Sequence, residues 1–517
     1  MESASTPSIS WYQSSKGIIL LSLVLPPVGL LLLWLNRDLE TGKKVYGSLG
    51  IAALGAFYVY MIFGGSSVIT PPNSDAHYAE LERQRAEQRE KLPTEGQNAG
   101  SASATNGNAA IAVASSNSNA NESTAPTVTA KVARNYWTNF RGPARDGHYD
   151  ESNILTQWPP QGLTPVWKQP IGGGYASFVV ADGTAFTIEQ RRNQEVVAAY
   201  DLETGRELWT NAWDAEFVES MGGDGPRATP TWDTSRIYAL GAVGELRCIE
   251  AKTGKAIWSR NILSDNGAQN LQWGMSGAPL IVDDKVIVLP GGTSGKSVVA
   301  YNKHTGAPVW RSLNDRAGYT SPMLVTLAGK RQILVVTSTR MVGLEIGDGA
   351  LLWSYPWDAQ INISQPIVID KNRVFISAGY GKGAALVEVS GNGASFEARK
   401  IWENSLMKNK FNSSVIYNGY VYGLNEGILT CLDIETGERK WQGGRYGYGQ
   451  LVLASGHLIV ITEQGELVLV KATPDQHTEL AKFAAIEGKT WNNPALADGR
   501  LLVRNQTQMA CFNLNGK

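Results

Sequence analysis

The phrase Tyr200-Asp201-Leu202-Glu203-Thr204-Gly205-Arg206-Glu207-Leu208-Trp209 returns, altered but recognisable, through the C-terminal part of the chain. Copies run from Ile249 through Thr253-Gly254 to Trp258, from Tyr301 through Thr305-Gly306 to Trp310, and from Leu344 through Asp348-Gly349 to Trp353. Another runs from Leu432 through Thr436-Gly437 to Trp441, and a looser one from Val387 through Asn392-Gly393 to Trp402. Each copy has the same mechanical content. An apolar strand ends, Thr-Gly or Asp-Gly supplies the positive-φ turn of a tight hairpin, and the next strand brings a Trp to its buried face. Self-similarity at a period of roughly 40–50 residues is the mark of propellers and solenoids.

Eight repeats open with a small-residue apolar strand, beginning near Ala176, Ala228, Gly277, Ser321, Gln365, Ser413, Gln450 and Asn493. Small residues and prolines suit the innermost strand of a blade, where a ring is tightest. The last repeat stops at Cys511-Phe512-Asn513-Leu514-Asn515-Gly516, just where its Trp strand should follow. An orphan Trp strand, Thr164 to Pro170 with Trp167, precedes the first full repeat. The N-terminal strand is therefore expected to complete the last blade and remove the exposed sheet edges of an open ring. The expected fold is an all-β, eight-bladed propeller over 135–517, with Trp167, Trp209, Trp258, Trp310, Trp353, Trp402 and Trp441 docking between blades. Phe483 stands at the Trp position of the seventh repeat, where Ala472-Thr473-Pro474 replaces the Thr-Gly turn. Cys248, Cys431 and Cys511 recur near one register, too far apart in a ring to be bridged; they read as small buried apolar residues.

Ahead of the head, residues 1–16 form a short tail and 17–65 hold two apolar runs, Gly17–Leu35 and Val45–Phe63. Each is near the ~20 residues a membrane-spanning helix needs, so a two-helix transmembrane hairpin is expected. The loop between them carries Arg37, Lys43 and Lys44, while the tail has only Lys16. That asymmetry places the loop in the cytoplasm and the propeller outside it, anchored to the inner membrane. Residues 66–134 read as a linker: helical over Asp75–Leu92, with interleaved charges and no apolar stripe, hence a solvated spacer. From Thr94 to about Val132 the chain is Asn, Ser, Ala, Gly and Thr, the composition of a disordered tether.

At this point the residues resemble a known family. The turn phrase with its terminal Trp is similar to the tryptophan-docking repeat of quinoprotein-type, PQQ-like β-propellers. The segment Trp137-Thr138-Asn139-Phe140-Arg141-Gly142-Pro143-Ala144-Arg145-Asp146-Gly147 resembles the opening motif of a bacterial subfamily of PQQ-binding-like repeat proteins. The resemblance implies the propeller strongly and the activity weakly. One branch of the family holds PQQ-dependent alcohol dehydrogenases; another includes the cofactor-free propeller lipoprotein of the outer-membrane β-barrel assembly machine.

The enzyme branch implies a Ca²⁺ or lanthanide held by Glu, Asn and Asp oxygens, a catalytic Asp and often an adjacent cysteine pair. No adjacent Cys pair and no matching ligand set are found, so none of those roles transfers to this chain. The five histidines show no metal-ligand spacing. A formal charge of −1, from 46 basic and 47 acidic residues, excludes a nucleic-acid-binding field. The segments entering the inner strands should converge on one mouth of the central channel. They bring Arg227, Trp273, Arg316, Tyr319, Asn362, Gln365, Lys410, Asn412, Arg445, Tyr448, Trp491 and Asn492. Cations, amides and aromatics together describe a site for a polar or anionic ligand, or for an envelope partner's acidic peptide. The reading is an extracytoplasmic scaffold without cofactor, the alternative being a PQQ-dependent dehydrogenase with PQQ and Ca²⁺.

Overall fold

The computed structural model describes residues 26–35, 39, 41–45, 47–51, 74–90, 137–393 and 395–516 of the chain. They fall into two compact units, Met1–Pro71 and Pro72–Lys517. In the first, helix α1 (Pro26–Leu35) starts on two prolines, whose fixed φ and missing N–H suit a first helical turn. Trp34 Nε1 donates to Ser48 Oγ at 2.9 Å. Among the described residues no helix is long and apolar enough to cross a membrane. Most of the expected spans, and the low-complexity tether, lie outside the described residues.

In the second unit, strands from Pro165 to Asn513 form eight antiparallel four-stranded sheets. Blade 1 comprises Val179–Ala181, Thr184–Arg191, Gln194–Asp201 and Glu207–Asp214, and the later blades repeat this plan. The first two strands of a blade often meet at a tight hairpin with positive φ at both central residues. Asp182-Gly183 (51° and 71°) and Asn418-Gly419 (49° and 82°) are examples, the twist that joins antiparallel strands best. First strands of blades 1 and 2, 2 and 3, 3 and 4, 6 and 7, and, closing the circle, 8 and 1 lie side by side.

The repeated phrase turns out to be a joint between blades. Trp167, Trp209, Trp258, Trp310 and Trp402 each donate their indole N–H to a carbonyl three residues before the next blade's turn glycine, at 2.9–3.1 Å. Those glycines, Gly205, Gly254, Gly306, Gly349 and Gly437, have φ of 70–76°. A Cβ on any of them would meet the docked indole at 2.6–2.8 Å. Glycine is thus required twice, for the turn and for the ring lying on it. Trp441 still finds the carbonyl of Thr473 at 2.7 Å despite the altered turn. Trp353 departs from the expected pattern: it donates to Gln332 Oε1 at 2.6 Å, within its own blade. Blade 5 explains this, because its third and fourth strands run on as a long hairpin, Gly383–Gly391 with Phe396–Asn404, and offer no Thr-Gly turn.

Ring closure follows the expected route. Pro165–Pro170 pairs antiparallel with Gln508–Asn513, Trp167 opposite Cys511. All three cysteines are buried and free. The largest apolar cluster spans blades 7, 8 and 1 at this seam, and includes Trp137, Tyr149, Ile154 and Trp158 from the segment ahead of the orphan strand. Phe483 packs edge-on against Trp158 there.

One expectation is overturned. Helix α2 (Asp75–Glu90) is not a solvated spacer; it docks on the propeller beside the seam, burying Tyr78, Leu81 and Arg85. These positions are three and four apart and share a face. Arg85 donates to Gln169 Oε1 at 2.8 Å and to the carbonyl of Pro170 at 2.9 Å, and its guanidinium lies 5.2 Å from the Tyr200 ring centre. It lies 3.4 Å from Glu207, in a buried network with Arg191, Glu189 and Tyr200. The stripe was hidden because its third member is an arginine, which buries its stem while its head is satisfied by polar partners.

Candidate functional site

The channel through the ring has two different ends. One is stoppered by the motif Trp137–Gly147. Arg145 is 2% exposed and reaches three blades at once: its guanidinium donates to the carbonyls of Ala278, Pro279 and Pro322 at 3.0, 2.6 and 3.0 Å, and to Thr231 Oγ1 at 3.3 Å. Arg141, 1% exposed, donates to the carbonyls of Ser413 and Ser414 at 3.3 and 2.7 Å. Inner strands of a closed ring leave carbonyls facing the axis, and a guanidinium with five donors satisfies several together. Burial lowers these arginines to about 10 (Arg141) and about 9 (Arg145), so both stay charged at neutral pH. His148–Tyr149 then adds a parallel strand to Gln450–Ala454 of blade 7.

Beyond this plug a cavity of about 650 Å³ is lined by Phe140 of the plug and by segments entering the inner strands. Its walls are aromatic. Tyr175 stacks on Trp491 with ring centres 5.5 Å apart, Phe411 lies 4.6 Å from Trp491 and 5.3 Å from Tyr448, and Trp273 lies 5.6 Å from Tyr319. Cations sit on these faces. Lys410 Nζ is 4.5 Å from the Tyr448 ring centre, 4.9 Å from Tyr380 and 5.5 Å from Phe411. Arg227 lies over Phe217 at 4.5 Å and Tyr175 at 5.5 Å, and donates to the carbonyls of Gly223 and Gly225. Lys489 at the rim lies over Trp491 at 4.3 Å and donates to the carbonyl of Gly222 at 2.8 Å. Burial lowers Arg227 to about 10 and pulls Lys489 below the ordinary lysine value, while the Tyr175 phenol is pushed up to about 12. The Glu463 carboxylate is engaged by Trp491 Nε1 at 2.8 Å and the Tyr448 N–H at 3.2 Å, so it braces the wall.

Of the twelve residues expected at the mouth, Arg227, Trp273, Tyr319, Gln365, Lys410, Tyr448 and Trp491 line this cavity. The other five do not. Asn362, Asn412 and Asn492 are buried; Asn362 donates to Thr337 and Ser338 carbonyls and Asn492 to those of Gly174 and Ala176. Arg445 ends the outer strand of blade 6, because only residues 446–449 connect it to blade 7. Exposed Arg316 borders a different, smaller hollow. Sequence reading passed over Tyr175, Phe411, Tyr380, Glu463 and Lys489. Tyr175 and Phe411 had a visible signal, since each immediately precedes or overlaps an inner-strand opening; Glu463, on a blade hairpin, had none.

A PQQ–Ca²⁺ pair can be tested against these residues. Among the described residues no three His, Cys, Asp or Glu side chains are grouped so as to hold a metal. The cavity wall offers one carboxylate, Glu463, already bonded, among cations and rings. The donor set does not fit a quinone-bound divalent cation.

Comparison with known proteins agrees with this architecture. The family model described as outer membrane protein assembly factor BamB matches residues 192–443. BamB of Yersinia pestis is 21% identical over 319 residues, covering 57% of this chain and 75% of that protein. Quinohemoprotein alcohol dehydrogenase ADH-IIG of Pseudomonas putida is 27% identical over 215 residues, covering 39% of this chain but only 28% of the enzyme. Among solved structures, quinohemoprotein alcohol dehydrogenase of Comamonas testosteroni superposes with a TM-score of 0.55 at 14% identity, covering 74% of this chain and 81% of that one. BamB of Moraxella catarrhalis gives 0.50 at 17%, covering 69% and 98%. At these identities the superpositions speak for the fold alone. The chain is a quinoprotein-type, PQQ-like β-propeller repeat protein related to BamB.

Proposed function

We propose that this chain is a membrane-anchored, extracytoplasmic scaffold that receives an envelope partner at the open mouth of its propeller, and is not a quinoprotein dehydrogenase. The observation that carries the reading is the asymmetry of the channel. One end is closed by Arg141 and Arg145, and the other opens as an aromatic funnel whose cations have, among the described residues, no metal-binding carboxylate set beside them. Such a funnel binds and orients; it lacks the groups a metal–quinone reaction needs. The relationship to BamB supports envelope assembly as the setting. The apolar runs Gly17–Leu35 and Val45–Phe63 would supply the anchor, with Arg37, Lys43 and Lys44 keeping their loop in the cytoplasm.

The test uses the full-length protein in its own membranes. A photo-crosslinking residue placed at Tyr448 in the mouth should capture one envelope protein that the same residue at Lys400, on the outer strand of blade 5, does not. PQQ with Ca²⁺ or a lanthanide should leave the melting temperature unchanged, whereas a true ligand at a hundredfold excess over Kd stabilises by about 2.7 kcal/mol. Dye-linked alcohol oxidation together with a PQQ-dependent melting shift would overturn the scaffold reading. A reporter active only outside the cytoplasm, working near Glu40 and failing after Lys517, would overturn the localisation.

A further inference from the structure

The cavity's chemistry narrows what it can take. Lys410 is held among three rings, Tyr380, Phe411 and Tyr448, and its hydrogen-bond partner among the described residues is the Tyr448 hydroxyl at 3.3 Å. Among the described residues no carboxylate lies within ion-pair distance of Lys410, Lys489 or Arg227. Arg227 and Lys489 spend donors on backbone carbonyls and have Glu219 and Asp224 in their electrostatic surroundings, whereas Lys410 meets only a phenol hydroxyl among the described residues. Lys410 is therefore the cation of the mouth whose donors are not spent on backbone carbonyls. Around it the walls are rings with room between them, and the plug makes the far end blind at Phe140.

We propose, resting on the reading of this mouth as the binding site, that its ligand is an aromatic monocarboxylate taken without a metal, its carboxylate on Lys410 and its ring among Phe411, Tyr448 and Trp491. A charge-assisted hydrogen bond from Lys410 is worth roughly twice a neutral one, and offset or edge-on ring contacts complement the apolar body. A multiply charged acid is disfavoured, because Glu219 and Asp224 lie in the electrostatic surroundings of Arg227, and Glu463, Glu219 and Asp224 in those of Lys489. Two sources carry this chemistry: a free aromatic acid, or a polypeptide whose last residue is aromatic and whose terminal carboxylate is free. The blind end admits either. It rejects a strand that runs through.

The experiment measures binding to the full chain by quenching of tryptophan fluorescence and by calorimetry, without added metal. The probes are N-acetylphenylalanine, its amide, and a hexapeptide ending in phenylalanine with a free or an amidated terminus. The free acids should bind at least tenfold more tightly than their amides, and Lys410→Met should remove that difference while Lys410→Arg retains most of it. Equal affinity for acid and amide, no binding by either, or an unchanged preference in Lys410→Met would overturn the proposal. Tighter binding of the hexapeptide than of the single residue identifies a chain end as the source; the reverse identifies a free acid. PQQ should not compete. Mouth-specific crosslinking to an envelope protein without any acid preference would leave the scaffold reading standing and this ligand class refuted, so the two fail separately.

Discussion

Both ends of the channel place cations on the propeller's axis, yet the two sets do opposite work. At the plugged end, Arg141 and Arg145 are fully buried, and their donors meet backbone carbonyls on blades 3, 4 and 6. At the open end, Lys410 and Lys489 lie on ring faces with spare donors and partial access to water. Buried charge whose terminal nitrogens are spent on backbone carbonyls is structure; half-solvated charge with donors left over is a site. The same residue type can be either, and burial with partner count separates them.

The largest effect should follow from breaking the plug. Arg145→Met removes four bonds to the inner strands and leaves their acceptors without water, at about 1–3 kcal/mol for each group left bare. Loss of the buried charge's own desolvation cost offsets part of this, so the net destabilisation should be about 3–5 kcal/mol in urea unfolding. A change below about 1 kcal/mol would mean the plug merely rests on the ring.

Next comes a titration beneath the open mouth. Glu195 is buried, accepting from the Ala242 N–H at 2.6 Å and from Trp213 Nε1 at 3.0 Å, and burial pushes its carboxyl up to about 7 from 4.5. A raised carboxyl means that the folded state holds the proton more tightly than the unfolded one. The stability it contributes is full below pH 4.5 and is lost as pH rises through 7. Wild type should therefore lose up to about 3 kcal/mol more than Glu195→Gln between pH 4.5 and pH 8. Parallel pH profiles for the two proteins would remove Glu195 from the account. Ala242 accepts from the Met275 N–H at 2.9 Å, so the effect should be accompanied by altered exchange of the 262–279 segment that carries Trp273.

Smaller again is the seam. Arg85→Ala should cost about 2 kcal/mol, because the hydrogen bonds to Gln169 and Pro170 and the contact with Tyr200 are lost while solvent enters beside helix α2. Limited proteolysis between α2 and Trp137 should release the helix from the variant and not from wild type. Co-retention of the helix in both would show that Tyr78 and Leu81 suffice.

The blades were legible because their signal is periodic and local: one glycine turn and one tryptophan, repeated, specify a hairpin and its docking partner. Trp353 was misread for the same reason: the next blade's longer hairpin offers no Thr-Gly turn, and the indole bonds Gln332 of its own blade instead. Helix α2 was invisible as a docked element because Tyr78, Leu81 and Arg85 make a stripe only if an arginine can be interior. At the mouth, position along the inner strands brought Lys410 and Trp491 to one cavity, but it could not tell Asn362, spent on three carbonyls, from a free amide. Hydrogen-bond consumption is a property of three-dimensional neighbours, and no spacing rule carries it.

The smallest expected effect on stability completes the contrast with the plug. Lys410 is partly solvated and, among the described residues, makes one hydrogen bond at 3.3 Å and has no ion pair to lose. Its cation–π contacts at such a site are worth about 0.5–1 kcal/mol, and Lys410→Met keeps most of the stem's packing. Unfolding of that variant should stay within about 0.5 kcal/mol of wild type, a surface-like value, against several for Arg145→Met. A loss comparable to that of the plug variant would mean that Lys410 is also a staple, and the distinction between the two ends of the channel would collapse.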